Sequence, residues 1–316
     1  TLSAGHLPAY GYGTETTSVL DSLAAVGVTF SRCLVPQVWT LSSHMSLLTS
    51  LAPGVHRVGK ETGLAASTPL LTERLEAAGL ATAGFATNNQ WLSPRFGFAR
   101  GFDAYDIHDM DQRLSDLALD WLVDTLPDAG RSPFFLFMHY MDVHTRDLSA
   151  AYPYEPCWPR YWRRPPAERG IDDKYVIQPL PGKANAGEAK RWNLGAYPLD
   201  FLRDAYDDCI TAWDEQRLGG LLARLRALDY ARDTLVIVTA DHGEAFEQHG
   251  RFLHNTPHVE VRHVPLIVAW PRRLPAGCVV DQRVSLMDLA PTILDLAGLD
   301  PLPDAQGRSL RPLLED

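Results

Sequence analysis

The feature that most constrains the fold of this chain is the alternation of short apolar runs with longer segments of helical periodicity. Strands are predicted where four short runs are rich in β-branched or aromatic residues, at Ala81–Ala86, 134–138, 234–240 and 264–270. Helices are predicted where apolar residues recur at i, i+3 and i+4, at 17–26, 42–51, 69–78, 112–125, 200–228 and 286–296. Strands that alternate with such helices imply an α/β fold, with a mostly parallel sheet covered by helices on both faces.

Composition and charge argue against several classes of protein. With 316 residues, of which 46% are hydrophobic, the chain is too apolar for a disordered protein. We predict a single α/β domain over residues 1–316. The formal net charge of −10 argues against a general nucleic-acid-binding surface, because phosphate backbones require clustered cations. A small anionic substrate remains compatible with this charge, provided that local positive charge, most simply a bound metal, draws it in.

Cysteine usage and hydropathy argue against two further classes. The four cysteines are isolated, without a CxxC pair, so free thiols are expected at Cys33, Cys157, Cys209 and Cys278. No run of 18 apolar residues is present, and the first residues do not resemble a signal peptide. We therefore expect a soluble protein without a transmembrane segment. The sequence predicts neither its compartment nor its oligomeric state.

The segment 147–197 departs from the alternating pattern, because it is rich in Pro, Trp, Tyr and Arg. A loop of this length within a compact domain is usually functional or mobile. We interpret it as an insertion that lies over the functional site, and the alternative is a surface excursion without a role.

Polar side chains follow three of the predicted strands. Asp241 and His242 follow the strand at 234–240, and His139 and His144 follow the strand at 134–138. Asparagines follow the strand at Ala81–Ala86, at positions Asn88 and Asn89. Because ligands of open parallel sheets bind beyond the carboxyl ends of the strands, we expect these groups to share one crevice.

A hydroxyl residue, Thr40, lies at the start of the helix predicted over 42–51. The positive end of the helix dipole and the free N–H groups there favour an anion. Taken alone, a threonine at this position is more often a helix cap than a nucleophile. The Asp241–His242 pair reverses that preference, because a divalent metal bound there would lower the pKa of the Thr40 hydroxyl.

An ordered set of motifs resembles the sulfatase branch of the alkaline phosphatase superfamily. The set covers nearly the whole chain, and its metal motif is Asp241-His242-Gly243-Glu244. The other blocks are His6-Leu7-Pro8-Ala9-Tyr10-Gly11-Tyr12, Trp39-Thr40-Leu41-Ser42-Ser43-His44-Met45, Val264-Pro265-Leu266-Ile267, Ser285-Leu286-Met287-Asp288-Leu289-Ala290-Pro291-Thr292 and Gly307-Arg308-Ser309-Leu310. Each block is weak by itself, and their order along the chain makes the resemblance specific.

The resemblance implies a role for each matching residue. It places the nucleophile, which also contacts the metal, at Thr40 and the metal ligands at Asp241 and His242. It implies substrate or second-metal contact at His254, and contact with the leaving group or the non-bridging oxygens at two further histidines. These two histidines are His139 and His144. The resemblance also implies that Asn88 or Asn89 binds substrate. The implied cofactor is a divalent metal ion, Mn, Mg, Ca or Zn. For His6, His56, His108, His258 and His263 we expect no catalytic role.

The nucleophile block departs from the sulfatase pattern. Sulfatases carry Cys or Ser followed by x-Pro-Ser-Arg, so that the nucleophile can be oxidised to formylglycine, whereas this chain has Thr40-Leu41-Ser42-Ser43-His44. Threonine cannot become formylglycine, so the pattern resembles phosphodiesterase and phosphotransferase relatives that use an unmodified hydroxyl. His44 replaces the Arg. It would bind the anion when charged, accept the Thr40 proton when neutral, or hydrogen-bond a neighbouring loop.

The resemblance also implies a buried first strand that ends in a metal-binding Asp just before Thr1, and a second common Asp position falls at Gly5. We expect the sequence to be truncated there, and the alternative is an incomplete metal site. The favoured function is a metal-dependent hydrolase of phosphate or sulfate esters, with phosphate esters preferred and a covalent Thr40 intermediate. Two alternatives stay open, a phosphoglycerol- or phosphoethanolamine-type head-group transferase and a non-catalytic scaffold.

Overall fold

The computed structural model describes residues 1–88, 90–108, 113–126, 133–145, 154, 156, 159–169 and 197–316. The strands are β1 Val28–Leu34, β2 Ala81–Ala86, β3 Ala104–Ile107, β4 Phe134–His139, β5 Val236–Thr239, β6 Ala245–Phe246, β7 Phe252–Leu253, β8 His263–Val264, β9 Leu266–Ala269 and β10 Cys278–Ser285. The helices are α1 Val19–Ala25, α2 Thr40–Thr49, α3 Pro53–His56, α4 Leu71–Ala77, α5 Leu114–Thr125, α6 Leu199–Trp213, α7 Gly220–Ala227, α8 Val259–Arg262, α9 Leu289–Leu296 and α10 Arg311–Glu315. The π-helical segment Asp214–Gly219 joins α6 to α7.

The larger sheet has the strand order β10-β1-β9-β5, with β8 also paired to β1. Strands β1 and β10 are parallel, whereas β9 is antiparallel to both β1 and β5. All four residues of β9 are buried, as is typical of a strand covered on both faces. The predicted α/β architecture is confirmed, with antiparallel pairs added around β9.

The smaller sheet has the order β3-β2-β4 and is parallel throughout. In its register Ala81 lies opposite Phe134 and Ala86 lies opposite His139. Because the two strands end at the same level, the residues that follow β2 and β4 emerge side by side. The backbone N–H of Thr87 donates to the carbonyl oxygen of His139 at 3.1 Å, which extends the pairing by one residue.

A cavity of about 610 Å³ lies between the two sheets. Its lining includes the whole of β4 and β5, and in the described part of the chain β4 pairs only with β2 and β5 only with β9. Leu136, Val238 and Trp213 contribute apolar walls. His139 and Asp241, which stand at the carboxyl ends of the two strands, also border the cavity. The cavity therefore connects the apolar interior with the predicted site.

Several elements differ from the sequence-based expectation. The helix predicted over 200–228 is continuous, but a π-helical segment interrupts its α-helical hydrogen bonding. Strands β1, β3, β6, β7 and β10 were not predicted. In β10 the polar residues Asp281, Gln282 and Arg283 follow one another. An edge strand needs apolar side chains on only one face, so β10 lacks the continuous apolar run on which the strand prediction relied.

The predicted insertion 147–197 lies largely outside the described residues. Its described part includes residues 159–169, which contact α6. Arg163 Nε lies 3.4 Å from Asp208 Oδ1, and Arg164 Nη2 lies 2.6 Å from Asp204 Oδ2. Its placement over the site, like the single-domain boundary, stays a prediction.

Three of the four cysteines lie in the described part of the chain. Cys33 and Cys209 are buried free thiols and Cys278 is a half-buried one, while Cys157 lies outside the described residues. Within the ranges that the structure describes, no helix has both the length and the hydropathy required to cross a membrane.

Candidate functional site

The predicted chemical groups converge on one buried cluster. Thr40 and His44 come from α2, His139 and His144 from the end of β4, Asp241 and His242 from the end of β5, and His254 from the segment after β7. The Thr40 hydroxyl oxygen lies 3.4 Å from His242 Nε2. The imidazole rings of His242 and His254 stack with centroids 4.2 Å apart, and those of His144 and His254 are 5.0 Å apart. The structure thus brings together side chains that are up to 214 positions apart in the sequence.

Thr40 is the first helical residue of α2, and its hydroxyl does not cap the helix. The N-cap is Trp39, whose backbone is extended at φ −135° and ψ 126°. The Thr40 side chain is buried and faces His242. The Thr40 hydroxyl therefore does not act as a helix cap that satisfies free N–H groups, which was the simpler explanation of this threonine.

His242 is oriented by a hydrogen bond to its own loop. Its Nδ1 lies 3.0 Å from the carbonyl oxygen of Gly243, which can only accept, so Nδ1 carries the proton. The other nitrogen, Nε2, then faces Asp241 Oδ2 at 3.3 Å. Metal-binding histidines are commonly held in this way, with one nitrogen bonded to a carbonyl and the other presented to the ion.

The contact between His242 Nε2 and Asp241 Oδ2 joins two hydrogen-bond acceptors. Such a pair is stabilised by a proton or by a cation, and burial holds the pKa of His242 well below its ordinary value of 6.5. Since protonation is disfavoured, a cation is the group that fits between them. The donor chemistry, one carboxylate and one imidazole beside a hydroxyl, suits a divalent ion such as Zn or Mn. Asp241, His242 and Thr40 therefore fit the metal that the resemblance implies.

Asp241 is held by the helix that carries Thr40. The Ser43 hydroxyl, fully buried on α2, donates to the carbonyl oxygen of Asp241 at 2.7 Å. Asp241 is itself buried, and its Oδ1 accepts a hydrogen bond from the backbone N–H of His242 at 3.0 Å. The sequence offered no sign that Ser43 ties the nucleophile helix to this aspartate.

His44 and His139 lie on the other side of Asp241. His44 Nδ1 donates to the Thr40 carbonyl at 2.8 Å and lies 3.8 Å from Asp241 Oδ2. The rings of His44 and His139 are 5.0 Å apart, and ligand atoms of His44, His139 and Asp241 all lie within 4.8 Å of one another. These two histidines were predicted to act in catalysis, and their geometry equally suits a cation.

The electrostatics of this pair favour neutral rings. Burial lowers the pKa of His139 to about 3, with a further contribution from His44, and burial also lowers the pKa of His44. Nδ1 of His139 is buried and has no hydrogen-bond partner in the described part of the protein. A neutral His44 does not reproduce the permanent charge of the Arg that it replaces.

Glu244, the last residue of the metal motif, pairs with His254. No role was predicted from the sequence for this buried carboxylate. The His254 Nδ1 atom lies 3.4 Å from Glu244 Oε1, and Glu244 is only 2% exposed. The backbone N–H of Glu244 donates to the Ser3 hydroxyl at 2.8 Å. His144 is held differently, because its Nδ1 donates to the carbonyl oxygen of Thr145 at 2.8 Å. Each of these histidines therefore has one ring nitrogen held by a neighbouring oxygen.

Asn88 is buried beside the site, and its amide links two loops. Its Oδ1 accepts a hydrogen bond from the backbone N–H of Trp91 at 2.9 Å, and its Nδ2 lies 3.6 Å from the Met141 sulfur. The side chain joins the segment after β2 to the segment after β4. Its substrate-binding role stays a prediction, and Asn89 lies outside the described residues.

Parts of this chain are similar to known sulfatases. N-acetylglucosamine-6-O-sulfatase of Bacteroides thetaiotaomicron is 33% identical over 125 residues, which cover 40% of this chain and 21% of that protein. Human arylsulfatase K is 38% identical over 110 residues, covering 34% of this chain and 20% of that protein. The matched stretches thus span about a fifth of these relatives.

The fold is shared with a solved enzyme structure, the phosphonate monoester hydrolase of Agrobacterium radiobacter. The two superpose with a TM-score of 0.75 at 19% identity, over 100% of this chain and 75% of that one. Independently, the family model described as Sulfatase matches residues 1–299. That match takes in every residue of the cluster described above, and the chain belongs to the sulfatase family.

Proposed function

We propose that this chain hydrolyses a small anionic ester, with Thr40 as the nucleophile and a divalent metal ion as cofactor. The observation that carries the proposal is the 3.4 Å contact between the Thr40 hydroxyl and His242 Nε2 at the positive end of α2. An unmodified hydroxyl in this position is suited to attack on phosphorus or sulfur, because the helix N-terminus favours the anion that would be attacked.

The favoured substrates are phosphate or phosphonate esters, and sulfate esters are the second candidate. Threonine at position 40 excludes the formylglycine route that sulfatases use, which favours phosphorus as the reacting atom. The curated relatives are sulfatases, and the solved structure with the same fold is a phosphonate monoester hydrolase. Both anions are tetrahedral and present similar non-bridging oxygens to the site.

The metal would be held by Asp241, His242 and Thr40, and when bound it lowers the pKa of the hydroxyl and neutralises charge on the substrate oxygens. The reaction then forms a bond from Thr40 Oγ to the phosphorus or sulfur and breaks the bond to the departing alkoxide. Because Nδ1 of His144 keeps its proton for the Thr145 carbonyl, Nε2 is the nitrogen that would accept the proton released by the Thr40 hydroxyl and then donate it to the departing alkoxide. Water then hydrolyses the ester of Thr40 and restores the hydroxyl.

The test compares Thr40→Ala and Thr40→Ser with the parent protein on an aryl phosphodiester, an aryl phosphonate monoester and an aryl sulfate. Thr40→Ala is expected to abolish turnover, while Thr40→Ser retains a measurable fraction of it. Ser42→Ala serves as a matched control, because it removes a buried hydroxyl from the same helix two positions away. Turnover by Thr40→Ala at the parental rate would refute the nucleophile assignment.

Two further measurements address the alternatives. Product analysis in the presence of glycerol or ethanol separates the hydrolase from a head-group transferase, because a transferase delivers the phosphoryl group to the added alcohol. Metal analysis of the full-length protein addresses the non-catalytic scaffold. A protein without bound divalent ion and without turnover of any of the three esters would favour that scaffold.

A further inference from the structure

A buried arginine lies behind the histidine loop, outside the groups that the proposed reaction uses. Arg217 belongs to the π-helical segment Asp214–Gly219 and is 1% exposed, the largest of the fully buried side chains in the described part of the protein. Removing a guanidinium from water costs several kcal/mol unless the charge is paired and hydrogen-bonded. A residue of this kind needs a physical explanation, and neither the sequence nor the proposed reaction supplies one.

One partner of Arg217 is Asp142, which lies within the loop that carries two of the site histidines. Arg217 Nε donates to Asp142 Oδ1 at 2.9 Å, and Asp142 is 3% exposed. The guanidinium also lies 5.5 Å from the centre of the Tyr140 ring, where a cation–π attraction is favourable. The two side chains are therefore hydrogen-bonded to each other and shielded from water.

The loop itself is short and closed. It runs from the end of β4 at His139 to His144, and the backbone N–H of His144 donates to the Met141 carbonyl at 3.0 Å, which makes a turn around Asp142. The Tyr140 hydroxyl adds a second anchor through a 2.9 Å hydrogen bond with Ser115 of α5. The side chain of Asp142 is thus the central point at which this turn is fixed to the helices behind it.

The π-helical geometry explains how one segment makes two buried contacts. A π-turn widens the helix locally, and such turns occur often at functional sites. At the start of the segment, Asp214 accepts hydrogen bonds at 2.8 Å from three backbone N–H groups at the beginning of α1, those of Ser18, Val19 and Leu20. Near the end of the π-helical segment, Arg217 contacts Asp142 in the turn after β4. The two charged residues therefore support different parts of the molecule.

We propose that Arg217 is a positioning residue, which through Asp142 fixes the turn that presents His139 and His144 to the ester. The proposal rests on the proposed function, because it assigns Arg217 a role in the same reaction without contact to the substrate. Catalytic geometry is sensitive to displacements of about 1 Å, which can cost about 100-fold in rate. Loss of the ion pair releases the turn, so the histidines are no longer held where the leaving group departs.

The experiment compares Arg217→Met, Arg217→Lys and Asp142→Asn with a matched control, Asp214→Asn. Arg217→Met and Asp142→Asn are expected to lower kcat by about 10- to 100-fold, as is typical when a partner that orients a site ligand is removed, with KM changed by less than about 3-fold. Arg217→Lys keeps the positive charge but loses the planar fork of the guanidinium, so its kcat should fall between those of these variants and the parent. Asp214→Asn removes a buried charge from the same π-helical segment and lowers Tm, but kcat stays within about 2-fold, because its partners lie on α1.

Amide hydrogen exchange of residues 139–145 gives a readout that does not depend on activity. Faster exchange in Arg217→Met than in Asp214→Asn supports the proposal, and equal exchange in the two variants overturns it. An unchanged kcat in folded Arg217→Met, or an equal loss of kcat in Asp214→Asn, also overturns it. If Arg217→Met does not fold, Arg217→Lys and Asp142→Asn decide the kinetic arm by the same criteria. Failure of the proposed function is recognised separately, since the parent protein would then turn over none of the three esters.

Discussion

Acidification should destabilise this protein through its buried histidines, and His139 allows the effect to be worked out. Burial lowers the pKa of His139 to about 3, whereas the same side chain in the unfolded chain has its ordinary value of 6.5. Between these two values the unfolded chain binds a proton that the folded protein does not. The neutral ring therefore contributes stability that is fully present above pH 6.5 and is lost as the pH falls towards 3.

The size of the effect follows from proton linkage. For His139 alone, the loss of unfolding free energy relative to neutral pH is about 1.4 kcal/mol at about pH 5.5 and about 2 kcal/mol at about pH 5. Burial also lowers the pKa values of His44 and His242, so both rings add to the loss with the same sign. A bound metal would act in the same direction, because protons compete with the ion for its ligands.

The assay is urea unfolding at about pH 7.5 and about pH 5, in the presence of a chelator, for the parent protein and for His139→Asn. The variant should lose about 2 kcal/mol less than the parent on acidification. Arg100→Gln is the control, because it removes the ion pair with Glu73 without removing a histidine and should leave the pH dependence unchanged. Equal acid losses in the parent and His139→Asn would refute the reasoning.

Three further predictions concern stability and metal binding. Asp214→Asn should lower the unfolding free energy by about 2–4 kcal/mol, measured by urea unfolding at neutral pH, because three backbone donors of α1 lose a charged acceptor. Asp241→Asn should lower the bound divalent ion by at least about 10-fold in elemental analysis, and a parental metal content would contradict its assignment as a ligand. Gly101→Ala should cost about 2 kcal/mol or more, because Gly101 has φ +73° and an added Cβ would collide with the backbone of Glu73; an unchanged Tm would contradict this.

Much of the site could be predicted from the sequence because it follows directly from strand ends. Asp241 and His242 come immediately after one apolar run, His139 and His144 follow another, and ligands of α/β proteins bind beyond the carboxyl ends of strands. That the two strands belong to different sheets was not visible in the sequence. Thr40 was recognisable from the block that it shares with the sulfatase family. These inferences depend on local patterns of a few residues, and local patterns are what a sequence displays.

Secondary-structure elements were predicted less well where only one face of the element is buried. Strand β10, at the edge of the larger sheet, carries three consecutive polar residues and lacks an apolar run. The π-helical segment within the long helix also left no visible signal, because its six residues include a single apolar side chain, Leu218, and therefore show no periodicity of their own. Both features depend on neighbours that are distant in the chain.

The α/β class and the groups that we propose for the chemistry could both be inferred from the amino-acid sequence. Only the tertiary structure decided how those groups are held: His242 through the Gly243 carbonyl, Asp241 through Ser43, and the turn around Asp142 through Arg217. Asp142 and Arg217 are 75 positions apart, and their pairing depends on the rotation of a helix past a π-turn. A buried charge is tolerated only where folding brings its partner to it, and that meeting is a property of packing that no local pattern encodes.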